Sequence, residues 1–203
     1  MQPIFIEEFL PKQILNLSYS YCLIKYSNLN NFKSIDSQAN SLVAEHSDFL
    51  METLLDLSTS VVEKNVNKKL WPTYSYLRIY DKESDLPVHT DRGSCEYTVA
   101  ICLGADPIDK PYEIFVGEKD DTSDYKYFSD NREKYERYRI DYKFPMIPNN
   151  ALIFKGMDKI HWREICTHDH FVTVFLHYVD QEGPYKEYKF DKRDILGAPS
   201  LKN

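Results

Sequence analysis

A mainly β protein with supporting N-terminal helices, folded as a sandwich or barrel, is the class this sequence predicts. Three observations carry the prediction. Apolar residues recur at helical spacing over about residues 36–67, the period drops to two after Pro72, and short apolar runs then alternate with Gly, Pro, Asn and Asp punctuation as far as Val179. Helix first and then many short strands is the order of a β-sandwich or barrel buttressed by helices. The 203 residues suit one domain, with helices over about 1–70, a β core over about 72–180 and a tail over 181–203.

The elements follow in order. Ile4, Phe5 and Ile6 read as a short strand, and residues 7–17 hold a helical turn after Pro11. Within the 36–67 helix, Leu50, Leu54, Leu57 and Val61 form one stripe, with Glu52, Asp56 and Glu63 away from it. Asn65, Asn67 and then Trp71-Pro72 end it. Tyr76, Arg78 and Tyr80 share one face of the next strand, and Leu77 and Ile79 the other. Over residues 97–103 the alternation turns Tyr97, Val99, Ile101 and Leu103 outward and Thr98, Ala100 and Cys102 inward. Further strands are expected at 112–116, 151–154, 159–164 and 171–179. The charged, Tyr-rich stretch 117–143 interrupts them; a connection of that length is a solvated excursion or a lid over the site, and Tyr125, Tyr127, Phe128, Tyr135 and Tyr138 tip the reading toward the lid.

Composition narrows the function classes. A formal net charge of -7 argues against non-specific nucleic-acid binding, which depends on Lys and Arg neutralising phosphates. Four cysteines, Cys22, Cys95, Cys102 and Cys166, lack the CxxC spacing, as expected of free thiols in a reducing cytoplasmic setting. The opening MQPIFIEEFL has no basic n-region and too short an apolar run to span a bilayer.

The chemistry concentrates in His89-Thr90-Asp91 and His161-Trp162-Arg163. Residues two apart in an extended segment project to the same side, so His89 and Asp91 can offer an imidazole nitrogen and a carboxylate oxygen to one ion. His161 supplies a second imidazole from a later strand. Two His and one carboxylate on one face of a metal leave its other positions open, the arrangement of non-haem iron(II) oxygenases. Trp162, on the opposite face from His161, is expected in the core, and His168 and His170 in a solvated turn.

The runs YLRIYDKESDLPVHTDRGSCEYTVAICLG (76–104) and NNALIFKGMDKIHWRE (149–164) resemble the 2-oxoglutarate- and iron(II)-dependent dioxygenases, nearest to the prolyl-4-hydroxylase-like branch. The resemblance covers about residues 72–180 and implies a double-stranded β-helix of the jelly-roll or cupin kind. It implies Fe(II) held by His89, Asp91 and His161, with 2-oxoglutarate as cosubstrate and dioxygen as oxidant. It also implies Tyr80 at the cosubstrate. The reaction it implies is hydroxylation of an unactivated C–H bond, with release of succinate and carbon dioxide. The substrate would be a prolyl residue of a protein or a small amino-acid-like metabolite.

One position departs from the family pattern. Prolyl hydroxylases carry a basic residue after the distal histidine to pair with the far carboxylate of 2-oxoglutarate, and here Phe171 stands there. A desolvated carboxylate without a cation is costly, so another cation is expected. Arg163, two residues after His161 on the same strand, is the first choice, and its fork suits a carboxylate. Arg78 is the second, with the small inward Thr98 beside the cosubstrate. Arg92, His177 and Phe175 are expected on the substrate side. The missing basic residue also keeps two rivals open: a cupin-type metalloenzyme that does not use 2-oxoglutarate, and a non-catalytic β-barrel binding module.

Overall fold

From Leu70 onward the chain crosses repeatedly between two antiparallel sheets. The computed structural model describes residues 1–28, 39, 41–118 and 141–197. In chain order the strands are β1 (Ile4–Ile6), β2 (Val43–His46), β3 (Leu70–Tyr80), β4 (Leu86–His89), β5 (Tyr97–Asp106), β6 (Tyr112–Glu118), β7 (Tyr142–Met146), β8 (Ala151–Phe154), β9 (Lys159–Arg163) and β10 (His170–Asp180). One sheet has the order β1-β8-β5-β10-β3-β2 and the other β4-β9-β6-β7. From β3 to β10 the chain alternates between sheets except at the β6–β7 hairpin, which is the expected double-stranded β-helix. Strands β4 and β7 were not anticipated. Leu86–His89 is short and carries a proline, and Tyr142–Met146 begins in the last two residues of the stretch read as a lid.

Period-two alternation gives the larger sheet two different faces. Leu77 and Ile79 of β3, Val99 and Ile101 of β5, and Val174 and Leu176 of β10 face the helices. Tyr80, Ala100, Cys102, Phe171 and Phe175 face the gap between the sheets, where β6 contributes Ile114 and Val116. The inward and outward assignment over residues 97–103 holds, with the outward side chains buried beneath helices. The hairpin pairs Val116 with Tyr142. The lid expected at 117–143 falls mainly on 119–140, which lies outside the described residues.

Helix α1 (Lys12–Ser27) runs well beyond the single turn expected after Pro11. Helix α2 (Phe49–Val66) is shorter than the expected 36–67, for two reasons. Val43–His46 finds a strand partner in β3, with Val43 opposite Ile79 and His46 opposite Tyr76. Asp48 then caps the helix, its Oδ1 accepting the N–H groups of Leu50 and Met51 at 2.9 and 3.0 Å. The buried stripe is Met51, Leu54, Leu55 and Val62, not the predicted Leu50, Leu54, Leu57 and Val61, and Leu57 and Val61 are 61% and 42% exposed. Both stripes are apolar. The choice follows from Glu52, expected on the solvent side but buried by a partner far along the chain.

That partner is in the tail. Residues 181–197 pack back across the molecule, with 3-10 turns over Lys186–Lys192 interrupted at Lys189–Asp191. Arg193 Nη2 donates to Glu52 Oε1 at 2.5 Å and to the carbonyl of Thr73 at 2.9 Å. The Gly197 N–H also donates to Glu52. Nearby, Asp191 accepts from Arg92 at 2.7 Å and lies 3.3 Å from His46. No helix among the described residues is long and apolar enough to cross a membrane. All four cysteines are free and buried.

Removing one member of a buried ion pair leaves the other charge uncompensated, which typically costs about 3–5 kcal/mol. Arg193→Met is expected to lower unfolding stability by about that amount, read as a drop in the urea midpoint at unchanged slope.

Candidate metal centre

His89 ends β4 and His161 lies in the middle of β9, and the two residues stand directly opposite each other in the pairing of these strands. Their rings are 4.1 Å apart between centroids. Asp91 follows in the loop, held by its N–H, which donates to the carbonyl of Gly156 at 2.9 Å. Its Oδ1 lies 3.6 Å from His89 Nε2 and 3.5 Å from His161 Nε2. Metal–ligand bonds of about 2.1 Å reach one ion across such gaps. Donor atoms of all three residues lie within 4.8 Å of one another.

The atoms behind these donors aim them. His89 Nδ1 donates to the carbonyl of Pro87 at 2.8 Å and His161 Nδ1 to that of Lys159 at 3.1 Å. Both protons are thereby placed on Nδ1, leaving each Nε2 lone pair for a metal. Thr98 Oγ1 donates to Asp91 Oδ2 at 2.8 Å, which leaves Oδ1 for the ion. Burial raises the Asp91 carboxyl, but His161 and His89 outweigh it and hold it well below the ordinary range. Burial and the neighbouring His161 lower His89. A carboxylate beside a neutral imidazole is the protonation state that metal binding requires, and mixed imidazole and carboxylate donors suit iron.

Arg163 is the next feature inward. It is completely buried, and its Nη1 donates to the carbonyls of Tyr112 and Glu113 at 2.7 and 3.2 Å. Its Nε and Nη2 have no hydrogen-bond partner among the described residues. These two donors form one edge of the guanidinium fork. Leaving them unmet inside the protein is costly, and a carboxylate on that edge would take both. The guanidinium carbon sits 4.8 Å from the Tyr112 ring centre, 5.1 Å from Phe171 and 5.8 Å from Tyr80. Phe171, which stands where the family pattern has a basic residue, thus packs against the cation from the other sheet.

The other predicted residues separate by position. Arg78, His177 and Phe175 line a cavity of about 70 Å³ together with Tyr74, Tyr76 and the three metal-ligand candidates. Arg78 Nη1 donates to Ser41 at 3.2 Å, and its guanidinium lies over the Tyr76 ring. Tyr80 is buried near Arg163. Thr98 sits behind the metal-ligand candidates, its hydroxyl engaged with Asp91 and also 3.1 Å from His177 Nδ1. Arg92 is not among the residues lining that cavity; it lies over the Tyr74 ring and on Asp191. Trp162 is buried on the far face, stacked on Phe115. His168 and His170 are not solvated as expected: His168 Nε2 bonds the Lys110 carbonyl, and His170 Nε2 bonds the Tyr19 hydroxyl. Burial pushes His177 down to about 4.

Sequence reasoning missed Gly156. A Cβ there would collide with the Asp91 carboxylate and lie 2.6 Å from Thr98 Oγ1. The residue lies within the motif run leading to His161, but its reason is Asp91, distant in the chain.

No protein-family model and no curated protein matches the sequence. Solved structures do. The non-haem α-ketoglutarate-dependent carbocyclase SnoK of nogalamycin biosynthesis matches at TM-score 0.64 and 12% identity, over 88% of this chain and 79% of its own. A prolyl-4-hydroxylase from Pseudomonas putida matches at 0.59 and 8%, over 88% and 92%. This chain shares their fold. So does HygX from Streptomyces hygroscopicus, solved with nickel, 2-oxoglutarate and hygromycin B, at 0.54 and 14% over 89% and 83%. At such identities the likeness is one of backbone, and the site must be judged on its own side chains.

Two outcomes check this geometry. Gly156→Ala is expected to weaken Mn(II) binding roughly 10–100-fold, the usual cost of disturbing a ligand's support, as measured by titration calorimetry. His177 has a folded pKa of about 4 against about 6.5 unfolded, so the unfolded state binds the extra proton first. Its contribution is therefore present above about pH 6.5 and lost as pH falls toward 4. In metal-free protein, His177→Phe is expected to lose less stability than the parent across that window, read from denaturant midpoints at each pH.

Proposed function

We propose that the protein is an iron(II)- and 2-oxoglutarate-dependent oxygenase that hydroxylates an unactivated C–H bond. The observation that carries this reading is the pairing, two residues apart on β9, of a candidate metal-ligand histidine with a buried arginine whose unpaired Nε and Nη2 would suit a carboxylate. A cupin-type metalloenzyme without 2-oxoglutarate would have no use for that edge, and a binding module would need neither feature.

Each residue then has a task. His89, Asp91 and His161 would hold iron(II). Arg163, with Tyr80 beside it, takes the far carboxylate of 2-oxoglutarate, replacing the cation absent at Phe171. When bound, iron and cosubstrate together supply the oxidising power, with succinate and carbon dioxide as coproducts. The carbonyls of Pro87 and Lys159 fix both imidazole tautomers, and Thr98 occupies Asp91 Oδ2, leaving Oδ1 free. Leu86 and Phe175 narrow the cavity around the reacting positions and limit water there. Substrate approaches along the wall of Tyr74, Tyr76, Phe175 and His177, with Arg92 over the Tyr74 ring. A prolyl residue of a protein and a small amino-acid-like metabolite both fit an enzyme of this class.

Succinate formation is expected to require both Fe(II) and 2-oxoglutarate and to vanish in His161→Ala. Charge-assisted hydrogen bonds contribute about 1.5–3 kcal/mol, so Arg163→Ala should raise the 2-oxoglutarate KM at least about tenfold. Without turnover, Mn(II) with N-oxalylglycine at about 100 times its Kd should add about 2.7 kcal/mol of stability. Stabilisation by the metal with no added effect of the oxalyl compound would remove the cosubstrate assignment.

A further inference from the structure

We infer that His177 is a specificity-determining residue: its Nε2 is a fixed hydrogen-bond acceptor facing the metal cavity, selecting a small cyclic substrate that carries an O–H or N–H donor. The inference rests on the oxygenase reading for the word substrate, but the acceptor itself follows from a proton count. The Thr98 hydroxyl has one proton, and it donates that proton to Asp91 Oδ2 at 2.8 Å. Carboxylate oxygens have none to give in return. In its 3.1 Å contact with His177 Nδ1, Thr98 must therefore accept, so the ring carries its proton on Nδ1. A neutral imidazole with its proton on Nδ1 has a bare lone pair on Nε2.

Nε2 has no hydrogen-bond partner among the described residues, and it is not among the fully enclosed polar atoms left unpaired. The ring lines the cavity that also contains His89, Asp91 and His161. It cannot easily turn away. Tyr74 packs against it at 4.6 Å, Phe175 lies parallel at 6.5 Å with an interplanar angle of 8°, and a ring flip would forfeit the bond to Thr98. The cavity therefore offers a molecule flat aromatic walls from Tyr74, Tyr76 and Phe175, and an acceptor that an O–H or N–H donor would satisfy.

A buried acceptor discriminates strongly, because an analogue lacking the donor leaves it unpaired. The ring nitrogen of a peptidyl proline carries no hydrogen, so such a residue cannot meet His177 through its ring. A free cyclic amine, a ring amide or a hydroxylated ring can. Of the two substrate kinds open to an enzyme of this class, the small molecule is favoured.

The test is a long-range proton–nitrogen NMR spectrum of the full-length protein labelled in its histidines, with His177 assigned by its loss in His177→Gln. His177 is expected as the Nδ1–H tautomer at neutral pH, and Thr98→Val should abolish that preference. Phenol is expected to move the Nε2 resonance in the hydrogen-bonded direction, whereas anisole, the same ring with its hydroxyl capped, should not. An Nε2–H tautomer or an imidazolium in the parent protein would overturn the inference. So would an Nε2 signal that responds alike to both probes, or to neither at saturation. Zn(II) added to the same sample reports separately on Nε2 of His89 and His161. If those two fail to respond while His177 behaves as expected, the oxygenase reading falls and the acceptor assignment stands.

Discussion

The pairing of β4 with β9 puts residue 89 opposite residue 161, and the rest of the site depends on that register. Side chains alternate along a strand, so a slip of one residue exchanges its two faces. Such a slip in β9 would bring Ile160 and Trp162 into the cavity and send His161 and Arg163 toward Val88 and Phe115 on the outer face. The stacked Phe115 and Trp162 rings therefore hold the candidate metal centre in place indirectly. They make the wrong register expensive, since burying an imidazole and a guanidinium among apolar side chains without partners costs several kcal/mol or more.

Around the centre, backbone carbonyls and a single hydroxyl do most of the positioning. Pro87 and Lys159 each lie two residues before the histidine they orient, so each strand orients its own imidazole. Asp91 is held from outside its loop, by Gly156 on its amide and Thr98 on its carboxylate. Thr98 links to His177, His177 packs on Tyr74, and Tyr74 stacks on His46, which lies beside Asp191 of the tail. A continuous set of contacts thus runs from the Asp91 carboxylate to the C-terminal segment, and Glu52 with Arg193 fastens that segment to α2.

The β core was legible because its periodicity is strong. Tyr76, Arg78 and Tyr80 face inward, as do Thr98, Ala100 and Cys102, and Arg163 shares a face with His161. Less was legible where the deciding partner lies far off in the chain. The rotation of α2 depends on Arg193 burying Glu52, which no local pattern contains. His168 and His170 looked like turn residues because their partners, the Lys110 carbonyl and the Tyr19 hydroxyl, belong to other elements. Helix α2 was drawn too long because Val43–His46 is apolar enough to suit either period, and only β3 makes it a strand. Gly156 carries no mark of its role, because its Cβ is excluded by a carboxylate from another loop.

The exchange of a basic residue for Phe171, with Arg163 in its stead, changes more than the address of a charge. On the proposed reading, a metal ligand and the anchor for the far end of the keto acid both hang from one five-residue strand. Two residues of extended chain advance about 6.6–6.8 Å, a length set by covalent geometry and insensitive to how the two sheets breathe against each other. β9 then serves as a ruler for the cosubstrate, matched to one spacing between its two ends, and a keto acid shorter or longer by a methylene would fall off the scale.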